Sequence, residues 1–122
     1  MRRIVAAVAI AAVCALGALL LPVASLTAEE AKSAVEQGKE IAFDRKGGNC
    51  LACHMIAGGE LPGNIGPPLV GMAQRFPDKA KLRAQIWDAT VANVHSAMPP
   101  FGRNMILSEK EIDLVTEFIY VQ

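Results

Sequence analysis

The chain has 122 residues and is formally neutral, with twelve basic against twelve acidic side chains and 52% hydrophobic residues. That length supports one domain with a modest core. The balanced charge excludes a basic footprint for nucleic acid and a polybasic membrane patch.

Met1-Arg2-Arg3 heads an uninterrupted apolar run from Ile4 to Leu21, followed by Pro22-Val23-Ala24-Ser25. A basic head, an apolar stretch and a small-residue exit read as a secretory signal peptide over residues 1–25, cleaved between 24 and 28. The functional domain is then 26–122. An uncleaved membrane anchor is the competing reading, because a run of 18 apolar residues sits at the lower edge of a bilayer span. Cys14 goes with the discarded peptide, since Val13 is not the small residue a lipoprotein cysteine needs before it. Removing Arg2 and Arg3 leaves ten basic against twelve acidic residues, a formal charge of −2.

From about Ala28 to Phe43 the sequence is rich in helix formers, with Ala34, Val35, Gly38, Ile41 and Ala42 on one face. Gly38 costs ~1 kcal/mol there relative to alanine, which close packing against another backbone would offset. Arg45 to Ala73 holds seven glycines and three prolines and reads as irregular loops. Pro77 to about Ala92 reads as a helix, with Asp78 near its start and Leu82, Ile86 and Ala89 on one stripe. The last helix is the clearest: Ser108-Glu109-Lys110-Glu111 is a capping box, and Leu107 can staple onto Ile112. Ile112, Val115, Phe118 and Ile119 form its buried face. The expected class is all-α, with helices bracketing a glycine-rich centre.

The centre carries the chemistry. Cys50-Leu51-Ala52-Cys53-His54 is C-x-x-C-H, the attachment signature of a c-type haem. One helical turn sets two thiols against the two vinyl groups of one haem edge, and the next residue presents its imidazole to the iron. A structural zinc site needs two more ligands, and the chain beyond the leader has no third cysteine. A redox dithiol needs a βαβ context. The signature therefore predicts one covalent haem c held by Cys50 and Cys53, with His54 as an axial ligand.

Pro67, in Gly66-Pro67-Pro68-Leu69, is placed to accept the His54 ring N–H on its carbonyl and fix the tautomer. For the second axial ligand Met98, in Ser96-Ala97-Met98-Pro99-Pro100, is the leading candidate, with His95 and Met105 as rivals. A thioether stabilises ferrous iron relative to a second imidazole, which suits electron acceptance. Met55 adjoins the His54 side and cannot reach across, and Met72 reads as a core gap-filler. Ile65, Leu69, Val70, Leu82, Ile86 and Phe101 are the expected apolar packing partners of the ring. Trp87 reads either as a half-buried core residue or as a donor to a propionate.

The order Gly38, Cys50-x-x-Cys53-His54, Gly66-Pro67, Met98 and a terminal amphipathic helix resembles the class I cytochrome c family, across essentially the whole chain after the leader. More narrowly, GGELPGNIGPPL (58–69) and MPPFGR (98–103) resemble the SoxX family, the monohaem subunits of the sulfur-oxidising SoxAX complex. That resemblance implies a class I cytochrome c fold and a periplasmic heterodimer with a SoxA subunit. It also implies His54 and Met98 as axial ligands, and electron acceptance while thiosulfate is oxidatively coupled to a cysteine of the SoxYZ carrier, an S-thiosulfotransferase reaction. A downstream electron acceptor follows.

The residues agree with that division of labour. With Cys50 and Cys53 engaged and Cys14 removed, no thiol is left to carry sulfur, and no acid–base set is evident, so no catalytic residue is expected in this chain. Joining thiosulfate to a thiol releases two electrons while one haem takes one, so a further centre is needed. A free-standing electron shuttle satisfies the same residues; an obligate subunit differs by burying a larger apolar patch, for which Pro62, Ile65 and Pro68 are candidates.

Overall fold

The structure, a computed structural model, describes residues 32–122. The leader, its cleavage window, Cys14 and the expected first residues of the opening helix, 28–31, lie outside the described residues. Within them the order is α1 (Ala34–Phe43), a 3-10 turn (Cys50–Ala52), α2 (Met72–Arg75), α3 (Lys79–Trp87), a second 3-10 turn (Ala89–Val91) and α4 (Glu109–Tyr120).

α1 starts later than its composition predicts. Ser33 is its N-cap: the Ser33 hydroxyl accepts from the Glu36 amide, and Glu36 accepts from the Ser33 amide at 2.8 Å. This reciprocal pair satisfies two orphan amides and fixes the first turn at Ala34. α4 is capped in the same way by Ser108 and Glu111. α3 is shorter than predicted at both ends. Asp78 caps it by accepting from the Ala80 amide, and the extended backbone of Asp88 (φ −157°) ends it. The chain then continues through a separate 3-10 turn that Asp88 caps through Thr90.

α1 and α4 form the main helix pair and α3 packs on α4. At the α1–α4 crossing Gly38 is required. A Cβ there would lie 2.0 Å from the Leu114 carbonyl oxygen and 2.9 Å from Phe118 Cβ. The backbone approach that offsets glycine's low helix propensity is thus present. Phe43 and Phe118 meet edge to face, with ring centroids 5.6 Å apart. Leu107, Ile112, Val115, Phe118 and Ile119 are buried in one core with Leu82 and Ile86 from α3. Each such side chain contributes about 1.5–3 kcal/mol by leaving water. The amide of Met72 donates to the carbonyl of Gln122 at 3.0 Å, tying α2 to the chain's last residue. Among the described residues no helix is long and apolar enough to cross a membrane.

Candidate functional site

The glycine-rich centre and the segment before α4 enclose a cavity of about 700 Å³, within the range of small-molecule and cofactor sites. It brings Cys50, Cys53, His54, Pro67 and Met98 together in its lining. Four residues build one part of that lining from local chain geometry. Asn49 adopts a left-handed conformation (φ 46°) that turns the chain into the Cys50–Ala52 turn. The amides of Cys53 and His54 both donate to the Cys50 carbonyl, at 3.2 and 2.9 Å. Two thiols and an imidazole therefore leave one turn of backbone.

His54 is held on two sides. Its Nδ1 lies 2.7 Å from the Pro67 carbonyl oxygen; that oxygen can only accept, so Nδ1 carries the proton and Nε2 is left with its lone pair. Gly66 lies flush against the ring, where a Cβ would come 2.3 Å from Cε1. The Pro67–Pro68 segment is itself braced, because an Arg75 guanidinium nitrogen donates to the Pro68 carbonyl at 2.9 Å. The same nitrogen lies 3.1 Å from the Met72 sulfur. Met72 is buried and lines the cavity, so its thioether faces a cation of the protein, and Met98 is the half-buried thioether without such a neighbour. The Arg75 brace has no signature in the sequence, since it depends on a four-residue helix meeting a distant loop.

His95 also lines the cavity, from an exposed position, with its amide taking Asn93 Oδ1 at 3.0 Å. Met105 does not line it and is 87% exposed. Of the expected apolar partners, Ile65, Leu69, Leu82, Ile86 and Phe101 line the cavity. Val70 does not: it is 57% exposed, turned away as the chain runs into α2. Trp87 is likewise outside the lining and packs as a half-buried residue under Gly102.

The donor set tests which group belongs here. Among the described residues no cluster of three or more His, Cys, Asp or Glu side chains is placed to hold a metal ion by itself. Burial pushes the Cys50 thiol up to about 11, with Cys53 beside it raising it further, so it stays protonated at neutral pH. An apolar cavity with two unpaired thiols, one oriented imidazole and one thioether fits a porphyrin carrying its own iron.

Residues 33–119 match the protein family described as "Cytochrome C oxidase, cbb3-type, subunit III". The chain belongs to this cytochrome c family. Among solved structures the cytochrome matches a chain of the crystal structure of SoxXA from P. pantotrophus. Identity is 29%, the TM-score is 0.65, and the match covers 75% of this chain and 82% of that one. Among curated proteins no match is found. The family, the SoxXA likeness and the C-x-x-C-H spacing agree on a SoxX-like, all-α monohaem cytochrome with covalent haem c. Its role is electron transfer.

Proposed function

We propose that this cytochrome is the electron-accepting subunit of a periplasmic two-chain complex with a SoxA-like partner. In this reading it takes up electrons as thiosulfate is oxidatively coupled to a cysteine of a SoxYZ-like carrier. The observation that carries the reading is the SoxXA likeness over three quarters of the chain, joined to a cavity with one iron-ligand set. In this reading Cys50 and Cys53 would hold the haem covalently, and His54 and Met98 would ligate its iron. When bound, the haem supplies a one-electron ferric–ferrous couple.

The chain's own residues set how that couple works. Pro67 keeps the proton of His54 on Nδ1, which would leave Nε2 free to bind the iron. Arg75 and Gly66 hold the Pro67 carbonyl and the ring plane in place. The Met98 thioether favours the reduced state relative to a second imidazole, which suits an acceptor. Leu82, Ile86 and Phe101 are buried side chains in the cavity lining and would exclude water from a bound haem. Beyond Cys50 and Cys53 the described residues contain no thiol, so sulfur chemistry belongs to partners. The residues around the thiols also fit a docking role. Between Gly47 and Gln74 the only charged side chain is Glu60. Leu61 and Ile65 are 93% and 72% exposed there. Charge depletion around exposed apolar side chains is the composition of an interface centre.

The test is purification of the tagged, processed cytochrome from thiosulfate-grown cells of its host. Recovery with a second cytochrome chain in equimolar amount is expected. Recovery as a monomer that still exchanges electrons supports the free shuttle instead and overturns the subunit reading.

A further inference from the structure

The loop that bears Met98 is closed at its base by one carboxylate. Asp88, at the end of α3, is 6% exposed. Its Oδ1 accepts from the Thr90 amide at 3.0 Å and from the Thr90 hydroxyl, on the chain entering the loop. Its Oδ2 pairs with Arg103 Nη1 at 2.7 Å, on the chain leaving the loop. Arg103 Nη1 also donates to Thr90 Oγ1 at 3.1 Å, so the three side chains form a closed ring of contacts. The Thr90 hydroxyl and amide, helped by Arg103, hold the Asp88 carboxyl below the usual carboxylate range against the opposing effect of its desolvation, so it is charged at neutral pH.

The exit segment is held next to this ring. The Gly102 amide donates to the Trp87 carbonyl at 3.1 Å, and a Cβ on Gly102 would lie 2.1 Å from the Trp87 ring. Phe101, adjacent, is 7% exposed and lines the cavity. Only Pro99 and Pro100 separate Met98 from Phe101, so little slack lies between the anchored segment and the thioether.

We propose that Asp88, through Thr90 and Arg103, is the positioning residue that clasps the Met98 loop shut and sets how readily Met98 leaves the iron. The proposal rests on Met98 being the axial ligand and says what holds it there. Asp88 touches neither the cavity nor Met98; it is absent from the lining and acts through the loop. Opening the clasp removes the side-chain link between the two ends of the segment; the Gly102 amide on the Trp87 carbonyl at 3.1 Å and short-range turns such as the Met98 amide on Ser96 Oγ at 3.2 Å are what remain.

The test uses the ferric holoprotein at neutral pH. Imidazole is titrated as a competitor for the Met98 position, and loss of the sulfur-to-iron charge-transfer band at the red end of the spectrum reports displacement. Asp88→Ala and Arg103→Ala are each expected to raise the apparent affinity for imidazole about tenfold, the scale of one lost charge-assisted hydrogen bond. Arg103→Lys, which keeps the positive charge, is expected to restore most of the difference. Arg83→Ala is the control: Arg83 stacks on the Trp87 ring at 5.5 Å and pairs with Asp113 on α4, outside the clasp. It is expected to lower thermal stability without changing imidazole affinity. If Asp88→Ala is poorly recovered, Asp88→Asn and Arg103→Ala carry the same comparison. Equal imidazole affinities in the clasp variants, Arg83→Ala and the parent protein would overturn the proposal while leaving Met98 as ligand. A band that survives Met98→Ala removes Met98 itself, and the clasp with it.

Discussion

Between Cys50 and Leu69 main-chain hydrogen bonds lace the cavity wall together, whereas between Asp88 and Leu107 a side-chain cluster is added to a comparable set of main-chain bonds. In the first region the amides of Gly63, Gly66 and Leu69 donate to the carbonyls of Leu51, Cys53 and Met55, at 2.8, 2.8 and 2.9 Å. The close glycine contacts allow this: a Cβ on Gly63 would lie 1.9 Å from the Ala52 carbonyl oxygen. In the second region the Asp88, Thr90 and Arg103 side chains join the two ends of the segment, beside main-chain bonds from the Gly102 and Arg103 amides to the Trp87 carbonyl at 3.1 and 3.4 Å. The side-chain cluster can be removed by single substitutions, whereas a main-chain lattice cannot. Under the proposed function, the covalent attachment of the haem would fall in the first region and the proposed Met98 ligand in the second.

The largest effect expected is at the first wall. Replacing both Cys50 and Cys53 by serine should leave no haem covalently retained, read as an intact mass equal to polypeptide alone after denaturation. Met98→Ala should act differently: the haem stays attached and only the red-end charge-transfer band is lost. If the two variants gave the same product, the contrast between the walls would fail.

Smaller effects sharpen the contrast. Gly66→Ala and Gly38→Ala both force a Cβ into occupied space, and each should lower stability by about 1–3 kcal/mol in a denaturant melt. Only Gly66→Ala should also disturb the haem spectrum, because its obstacle is the His54 ring rather than the α1–α4 crossing. An undisturbed spectrum in Gly66→Ala would separate the glycine from His54 orientation.

The smallest effect lies in the helix caps. Ser108→Ala should cost about 1 kcal/mol at neutral pH. Hydrogen bonds from the Ser108 hydroxyl and then its amide hold the Glu111 carboxyl below its ordinary value of 4.5. A lowered folded value means the contribution is fully present above pH 4.5 and is lost as pH falls through that lower value. The stability gap between the parent protein and Ser108→Ala should therefore narrow in acid. A gap that widened in acid would reverse the sign of the Glu111 shift.

How much of this was legible in the sequence follows the same division. The Cys50–His54 signature and the Gly66-Pro67 turn are local, so spacing alone carries their chemistry, and the terminal helix is written in its capping box. The start of α1 was equally written, in Ser33-x-x-Glu36, but helix-forming composition upstream masked it. Asp88 reads as one more polar residue in a helical stretch; only the folded chain shows that its carboxylate breaks the helix and gathers Thr90 and Arg103. Met72 was read as a core gap-filler and is buried in the core, but the Arg75 contacts to Pro68 and Met72 were illegible, since these groups come together only in three dimensions.

The central claim is that this cavity holds one haem bonded through Cys50 and Cys53 and ligated by His54 and Met98. Its most direct test is the intact mass and ferric spectrum of the exported chain made in a host that matures c-type cytochromes. The account predicts a coloured protein with the mass of the processed polypeptide plus one haem, retained on denaturation, and a red-end band that vanishes in Met98→Ala. A colourless product with the mass of bare polypeptide would contradict it.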